Sequence, residues 1–225
     1  MERRGLCFVR YADDCNIFVR TERAGKRVMA STRHFIERRL RLQVNDAKSA
    51  VAPPDVRHFL GFRLCPEPDG HVEVHISKKT KERIDARIRE LTPRTWGQSL
   101  GQCLAEANRY LRGWAAYFRL CGEQGAAIFK RFDAHIRRRI RAIIVHQKKR
   151  PRFLLRHLLR RGVSLSAAHS TAYSRRGIWH QSNRRGMTTA YRNVWFRDRL
   201  VSLWSEWRRY HPPQLVSGQA LLFGD

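Results

Sequence analysis

Three successive apolar stripes at helical spacing constrain the fold of this chain more than any other feature. Ile84, Ile88 and Leu91 form the first, behind Ser77, a residue type that caps helices. Leu104, Ala107, Leu111, Trp114, Ala115 and Phe118 form the second, behind Ser99. Phe129, Phe132, Ile136, Ile140 and Ile143 or Ile144 form the third, which starts after Gly125 and ends near Arg150-Pro151. Recurrence at three and four residues puts each set on one face of a helix, and such a face must be buried. Short links between the three predict a small bundle over 77–150. With 225 residues and 42% hydrophobic content, the chain can bury a sizeable core as one large domain or two small ones.

The bundle must form under a large charge imbalance. The chain has 46 Lys and Arg against 19 Asp and Glu, a net charge of +27, and only eight of the basic residues are lysines. Such an excess calls for a polyanionic partner. Arginine favours nucleic acid over an acidic membrane, because its planar fork binds phosphate bidentately and stacks on bases. No apolar run approaches the roughly 18 residues of a membrane span, so no membrane partner is expected. The charged start, Met1 to Arg4, is not followed by a signal-peptide core. The expected location is cytoplasmic, of bacterial type, in association with nucleic acid. Cys7, Cys15, Cys65, Cys103 and Cys121 form no C-x-x-C pair and none lies at zinc-finger spacing from a histidine pair, which reads as reduced thiols.

The expected architecture is α+β. Residues 1–92 carry 20 basic and 13 acidic residues, whereas 93–225 carry 26 and 6. In the first part, Leu6–Arg10 and Asn16–Val19 read as strands of a hairpin, and Ala24, Val28, Phe35, Ile36 and Leu40 read as a helical stripe within Thr21–Leu42. Arg57–Leu64 and His71–Ile76 alternate like strands about the turn Cys-Pro-Glu-Pro-Asp-Gly. Residues 151–210 read as helical with a Ser/Gly/Arg-rich loop at 170–189, and the tail after His211-Pro212-Pro213 carries no clear signal.

The sharpest chemical feature is Phe8-Val9-Arg10-Tyr11-Ala12-Asp13-Asp14. Two adjacent carboxylates at a hairpin tip repel each other, and Mg²⁺ is the usual compensation where phosphoryl transfer is the chemistry. A solvated Asp-Asp turn is the alternative.

This stretch resembles the Y-A-D-D motif of reverse transcriptases, in the form found in bacterial group II intron-encoded proteins. The resemblance continues in order through Leu42-Gln43-Val44-Asn45-Asp46-Ala47-Lys48 (L-x-x-N-x-x-K) and Phe59-Leu60-Gly61-Phe62 (the F-L-G-F primer grip). Ser77-Lys78-Lys79 opens a segment similar to the thumb, or maturase-specific domain X. Arg112-Gly113-Trp114-Ala115-Ala116-Tyr117-Phe118-Arg119 resembles R-G-W-x-x-Y-F-R, Ser174-Arg175-Arg176-Gly177-Ile178-Trp179 resembles S-R-K-G-x-W, and Asn193-Val194-Trp195 resembles N-x-W. The likeness runs over residues 7–207.

The resemblance implies a partial reverse-transcriptase palm at 1–76, a three-helix thumb or maturase domain at 77–150 and a basic, mostly helical nucleic-acid-binding segment at 151–225. It implies RNA-directed DNA synthesis and assistance to splicing in the full-length family. Asp13 and Asp14 would be metal-binding catalytic carboxylates, with Mg²⁺ as cofactor. Lys48 would neutralise the leaving group or be a solvated turn lysine. Leu60 and Gly61 would lie at the primer end or be plain hairpin core. The family's further catalytic aspartate comes from a strand well before Y-A-D-D, and the ten residues preceding Tyr11 contain no Asp. The chain is therefore expected to behave as a truncated fragment that binds RNA without polymerising, holding Mg²⁺ only weakly.

Expected nucleic-acid contacts are Arg112, Tyr117 and Arg119, then Arg137, Arg138, Arg139, Arg141, Lys148, Lys149, Arg150 and Arg152, then Arg175, Arg176, Trp179, Arg184 and Arg185. From Ile136 to Thr189 there is no acidic residue, unlike an ordinary solvated helix face. Trp114 and Phe118 share the stripe of Leu111 and read as core, whereas Tyr117 lies off it. Trp179 reads equally as a base-stacking ring or as a plug into the helices below. The expected partners are group II intron RNA, an RNA/DNA primer-template and a separate N-terminal reverse-transcriptase half. The alternatives are a polymerase active once that half is supplied, or a non-specific basic DNA-binding protein.

Overall fold

In the computed structural model, which describes residues 2–95, 97 and 99–211, the chain divides into two units between Ser77 and Lys78. Both α-helix and antiparallel strand pairs are present, an α+β content.

The first unit opens with β1 (Cys7–Tyr11) and β2 (Asp14–Phe18), paired antiparallel with Tyr11 opposite Asp14. Only Ala12 and Asp13 remain to turn the chain. Ala12 takes φ of 51°, a left-handed conformation that suits the twist of a tight hairpin but that a Cβ disfavours. Arg10 Nε donates to the Ala12 carbonyl at 2.9 Å, which fastens the turn from beneath.

Helix α1 (Glu22–Arg39) follows, with Thr21 Oγ1 accepting from the Ala24 amide. Its Gly25 lets Val51 approach, since a Cβ there would sit 2.6 Å from Val51 Cγ1. The expected stripe is only partly used: Val28 is buried, but Phe35 and Leu40 are 54% and 51% exposed.

Strands β3 (Phe62–Pro66) and β4 (Val72–Ile76) form a second hairpin. The strand expected from Arg57 is cut short. Phe59 and Phe62 exchange both backbone hydrogen bonds at 2.9 Å, and Leu60 and Gly61 turn between them at φ of 52° and 84°. Two consecutive positive φ values define the mirror-image turn usually made by Asn-Gly. Leucine there holds a left-handed backbone that costs about 1–2 kcal/mol. The two hairpins make separate two-stranded sheets among the described residues, each closed through a short loop of low entropic cost.

The second unit is helical and begins with α2 (Lys78–Leu91), α3 (Leu100–Phe118) and α4 (Glu123–Gln147). Ser99 and Gln102 form a reciprocal capping box on α3. Helix α4 starts two residues before Gly125, with Gly122 at its N-cap. All three expected stripes are inside: Ile84, Leu111, Ile136 and Ile140 are each no more than 1% exposed. Trp114 and Phe118 pack as core, with ring centroids 4.5 Å apart, and Trp114 meets Phe129 and Phe132 edge-on. Lys149, at φ of 49°, breaks the chain direction after α4, and Pro151 opens α5 (Pro151–Arg160).

Beyond α5 lie α6 (Leu165–Ala172), α7 (Ile178–Gln181), α8 (Arg185–Ala190), α9 (Asn193–Arg197) and α10 (Leu203–Tyr210). The loop expected at 170–189 is therefore largely helical. Turns of four to six residues are too short to show a hydrophobic period. Helix α10 packs back on α3 and α4. Asp133 of α4, which is 4% exposed, accepts from Ser202 Oγ (2.6 Å) and from the Leu203 (2.8 Å) and Trp204 (3.2 Å) amides. It thus caps α10 from another helix. Trp207 Nε1 donates to the Cys121 carbonyl at 2.8 Å, and Asn108 clamps the preceding link through Arg199 O and Val201 N. The tail from Pro212 lies outside the described residues.

Candidate nucleic-acid interface

Residues 137–141 of α4 cannot all face one way, because each successive residue turns by about 100°. Arg139 points toward the C-terminus of α2. Its Nε donates to Thr92 Oγ1 at 2.5 Å, and its Nη2 donates to the Thr92 carbonyl at 2.9 Å and the Arg89 carbonyl at 3.3 Å. There it satisfies carbonyls that a helix end leaves unpaired. Arg141 is 8% exposed and donates to the Ser182 carbonyl at 3.0 Å. Burial, helped by the charges of Arg137 and Arg138, lowers its pKa to about 10. These two arginines, expected at phosphates, hold the unit together instead.

Arg138 tethers α7. Its Nη2 donates to the Trp179 carbonyl at 2.9 Å, and its guanidinium carbon lies 4.0 Å from the Trp179 ring centroid. Trp179 is 36% exposed, so it covers the helices below and stays open to solvent in part.

Between α4 and α7–α9 runs a groove of about 570 Å³, lined among others by Arg137, Arg138, Trp179, Asn183, Arg192 and Asn193. Its cations come from two separate helical segments, its amides from α9 and the link after α7, and its aromatic surface from Trp179 and Tyr191. Phosphate can meet Arg137 and Arg192, and an unpaired base can meet the exposed part of Trp179 or an amide. The sequence reading missed Arg192, Asn183 and Tyr191 as site residues. Arg192 stands one residue before Asn193-Val194-Trp195, and that adjacency was the available signal.

The other expected contacts spread over the surface. Arg112, Tyr117 and Arg119 are exposed on or just after α3, and Arg119 lies 4.6 Å over the Tyr210 ring. Lys149, Arg150 and Arg152 are exposed at the α4–α5 corner, with Lys148 half-buried beside them. Arg175, Arg176 and Arg185 are exposed around α7 and α8, and Arg184 is half-buried. Arg161, which the sequence did not single out, donates to the Ala190 carbonyl and lies 4.3 Å over the Tyr191 ring. Tyr191 in turn meets His157 Nε2 through its hydroxyl at 2.5 Å. Burial is the main cause that lowers the His157 pKa, with Lys148, Arg161 and Arg160 adding to it.

In the first unit, Asp13 and Asp14 are exposed at the tip of the β1–β2 hairpin, and no described residue forms an ion pair with either. Exposed, unpaired carboxylate oxygens suit a hydrated Mg²⁺, which prefers few protein ligands and keeps its waters. Among the described residues, no further His, Cys, Asp or Glu joins them in a three-residue metal cluster. Lys48 is exposed in a turn with its amide bonded to Asn45 Oδ1. Leu60 and Gly61 are half-buried at the turn before β3.

Residues 81–162, which span most of α2 and all of α3 to α5, match the model of the group II intron maturase-specific domain. No curated protein matches the chain. The domain match supports a group II intron maturase, and it implies RNA binding and involvement in intron splicing. No helix among the described residues is long and apolar enough to cross a membrane.

Proposed function

We propose that the helical unit grips folded group II intron RNA and assists its splicing without forming or breaking bonds itself. The observation that carries this reading is the groove beside α4, where Arg137 and Arg138, within the residues 81–162 that match the maturase-specific domain, converge with Trp179 and Arg192 from the segment that follows it. Exposed basic residues on α3, at the α4–α5 corner and around α7 and α8 extend the contact. The test is affinity for a folded group II intron RNA against an unrelated structured RNA across a salt series. Preference for the intron at physiological salt supports the reading, and equal affinity overturns it.

The first unit acts in this reading as the Y-A-D-D segment of a reverse-transcriptase palm. Asp13 and Asp14 would hold Mg²⁺, which supplies charge stabilisation to phosphoryl transfer when bound. Lys48 would neutralise the leaving group, and Leu60 and Gly61 would lie along the primer end of an RNA/DNA primer-template. Two adjacent carboxylates are a weak site alone, so DNA synthesis calls for a further carboxylate and the rest of the polymerase site. Primer extension by these 225 residues alone, lost on Asp13→Ala, would contradict that need.

A further inference from the structure

The β3–β4 hairpin has one apolar face and one chemically unusual face. Its register pairs Arg63 with His75 and Cys65 with Glu73, and the Glu67 amide extends the ladder to the His71 carbonyl at 2.7 Å. Alternation then puts Phe62, Leu64, Pro66, Val72, Val74 and Ile76 on one side. The other side carries Arg63, Cys65, Glu67, His71, Glu73 and His75, and five of these six are metal-ligating types. Donor atoms of Glu67, Glu73 and His75 all lie within 4.8 Å of one another. All three side chains are half-buried, those of Glu73 and His75 being 16% and 17% exposed, with His75 Nε2 2.8 Å from Glu73 Oε2.

We propose that this face binds a divalent transition-metal cation, zinc foremost, with Glu67, Glu73 and His75 as its protein ligands. Donor chemistry and register both point to such an ion. One imidazole nitrogen with two carboxylate oxygens suits zinc and its neighbours in the first transition row, whereas Mg²⁺ selects oxygen alone. The hairpin fixes the set, because Glu73 and His75 are two apart on β4, and Glu67, two residues after the paired Cys65 and just past the end of β3, is held by its amide bond to the His71 carbonyl. A strand pair holds ligands more rigidly than a loop does. Three protein ligands leave one tetrahedral position for water or an incoming group. This site is separate in residues and in donor type from Asp13 and Asp14, so it does not rest on the reverse-transcriptase reading.

The test uses the full chain, stripped with chelator and titrated with Co²⁺ and then Zn²⁺ in excess Mg²⁺. One equivalent of Co²⁺ should develop visible absorption, and Zn²⁺ should abolish it. Zinc should also raise the melting temperature, because it binds only the folded hairpin. His75→Ala and Glu67→Gln should each weaken Zn²⁺ binding at least about 100-fold, the upper end of what even an outer-shell partner contributes. Glu67→Gln is isosteric and decides the matter if circular dichroism finds His75→Ala misfolded. Absence of stoichiometric binding by the wild-type chain, or wild-type affinity in folded Glu67→Gln, overturns the proposal.

Discussion

The Arg138 guanidinium sits 4.0 Å from the centroid of the Trp179 ring and donates to the carbonyl of that same residue. With Arg141 on the Ser182 carbonyl, it holds a four-residue helix that has too few residues to stand alone. Arg138→Ala should cost about 1–2 kcal/mol in urea unfolding, summing a charged hydrogen bond and a partly exposed cation–π contact. RNA affinity should fall further than loss of one charge predicts, because the rim of the groove loosens with α7. Arg138→Lys keeps the charge but loses the planar fork, and should recover less than half of the stability.

Asp133 predicts a pH signature. Burial raises its pKa above the ordinary 3.8, although the Ser202 hydroxyl and the Leu203 and Trp204 amides pull the other way. A raised folded-state pKa means that this group favours folding most below its unfolded pKa. That advantage is lost as pH rises through the folded value. Measured against Asp133→Asn, wild-type stability should therefore decline as pH rises past the ordinary carboxylate value of 3.8. Asp133→Ala should cost about 2–4 kcal/mol at neutral pH, since it strips a helix cap and leaves buried donors unpaired.

Gly186 lies where α8 crosses α6. A Cβ there would stand 2.6 Å from Thr171 Oγ1 and 2.9 Å from the Ala167 carbonyl oxygen, and the latter is backbone that cannot turn aside. Gly186→Ala should destabilise by about 1–3 kcal/mol, the range for overpacking. Guanidinium unfolding measures it directly.

Lys149 separates folding from binding. It occupies the left-handed position just after the C-cap of α4, where glycine is preferred. Lys149→Gly should stabilise the chain by about 1 kcal/mol by relieving that conformation. If Lys149 touches RNA phosphate, the same change should reduce the slope of log affinity against log salt by about 0.7–0.9. A thermal melt and a salt titration on one variant read both effects.

The helical unit was legible where elements are long. Residues 84–91, 104–118 and 129–144 each complete at least two turns, so their stripes announce buried faces, and the Ser99–Gln102 spacing announces a capping box. Helices α7, α8 and α9 have four to six residues and no period to read. Leu60 hid a mirror-image turn because its residue type argues against one. Phe35 and Leu40 fit a helical stripe yet stay exposed, since spacing reports a face and not whether anything covers it. In sequence the arginines read as one cluster, although a 100° step already separates Arg139 from the groove side of Arg138 and Arg141. Asp133 was also readable: it is the one acid in α4 after Glu123, and it lies on the apolar stripe.

The central claim is that a built groove, and not charge alone, recognises intron RNA. With a net charge of +27, any RNA binds at low salt through counterion release. The decisive measurement is the affinity ratio between folded group II intron RNA and an unrelated structured RNA near physiological salt, for the wild type and for Arg137→Ala/Arg192→Ala. The account predicts a ratio of at least about 10 for the wild type, collapsing toward unity in the double variant, with affinity for the unrelated RNA reduced only by the salt-dependent share of two charges. A ratio near unity in the wild type, or one unchanged by the double variant, would contradict it.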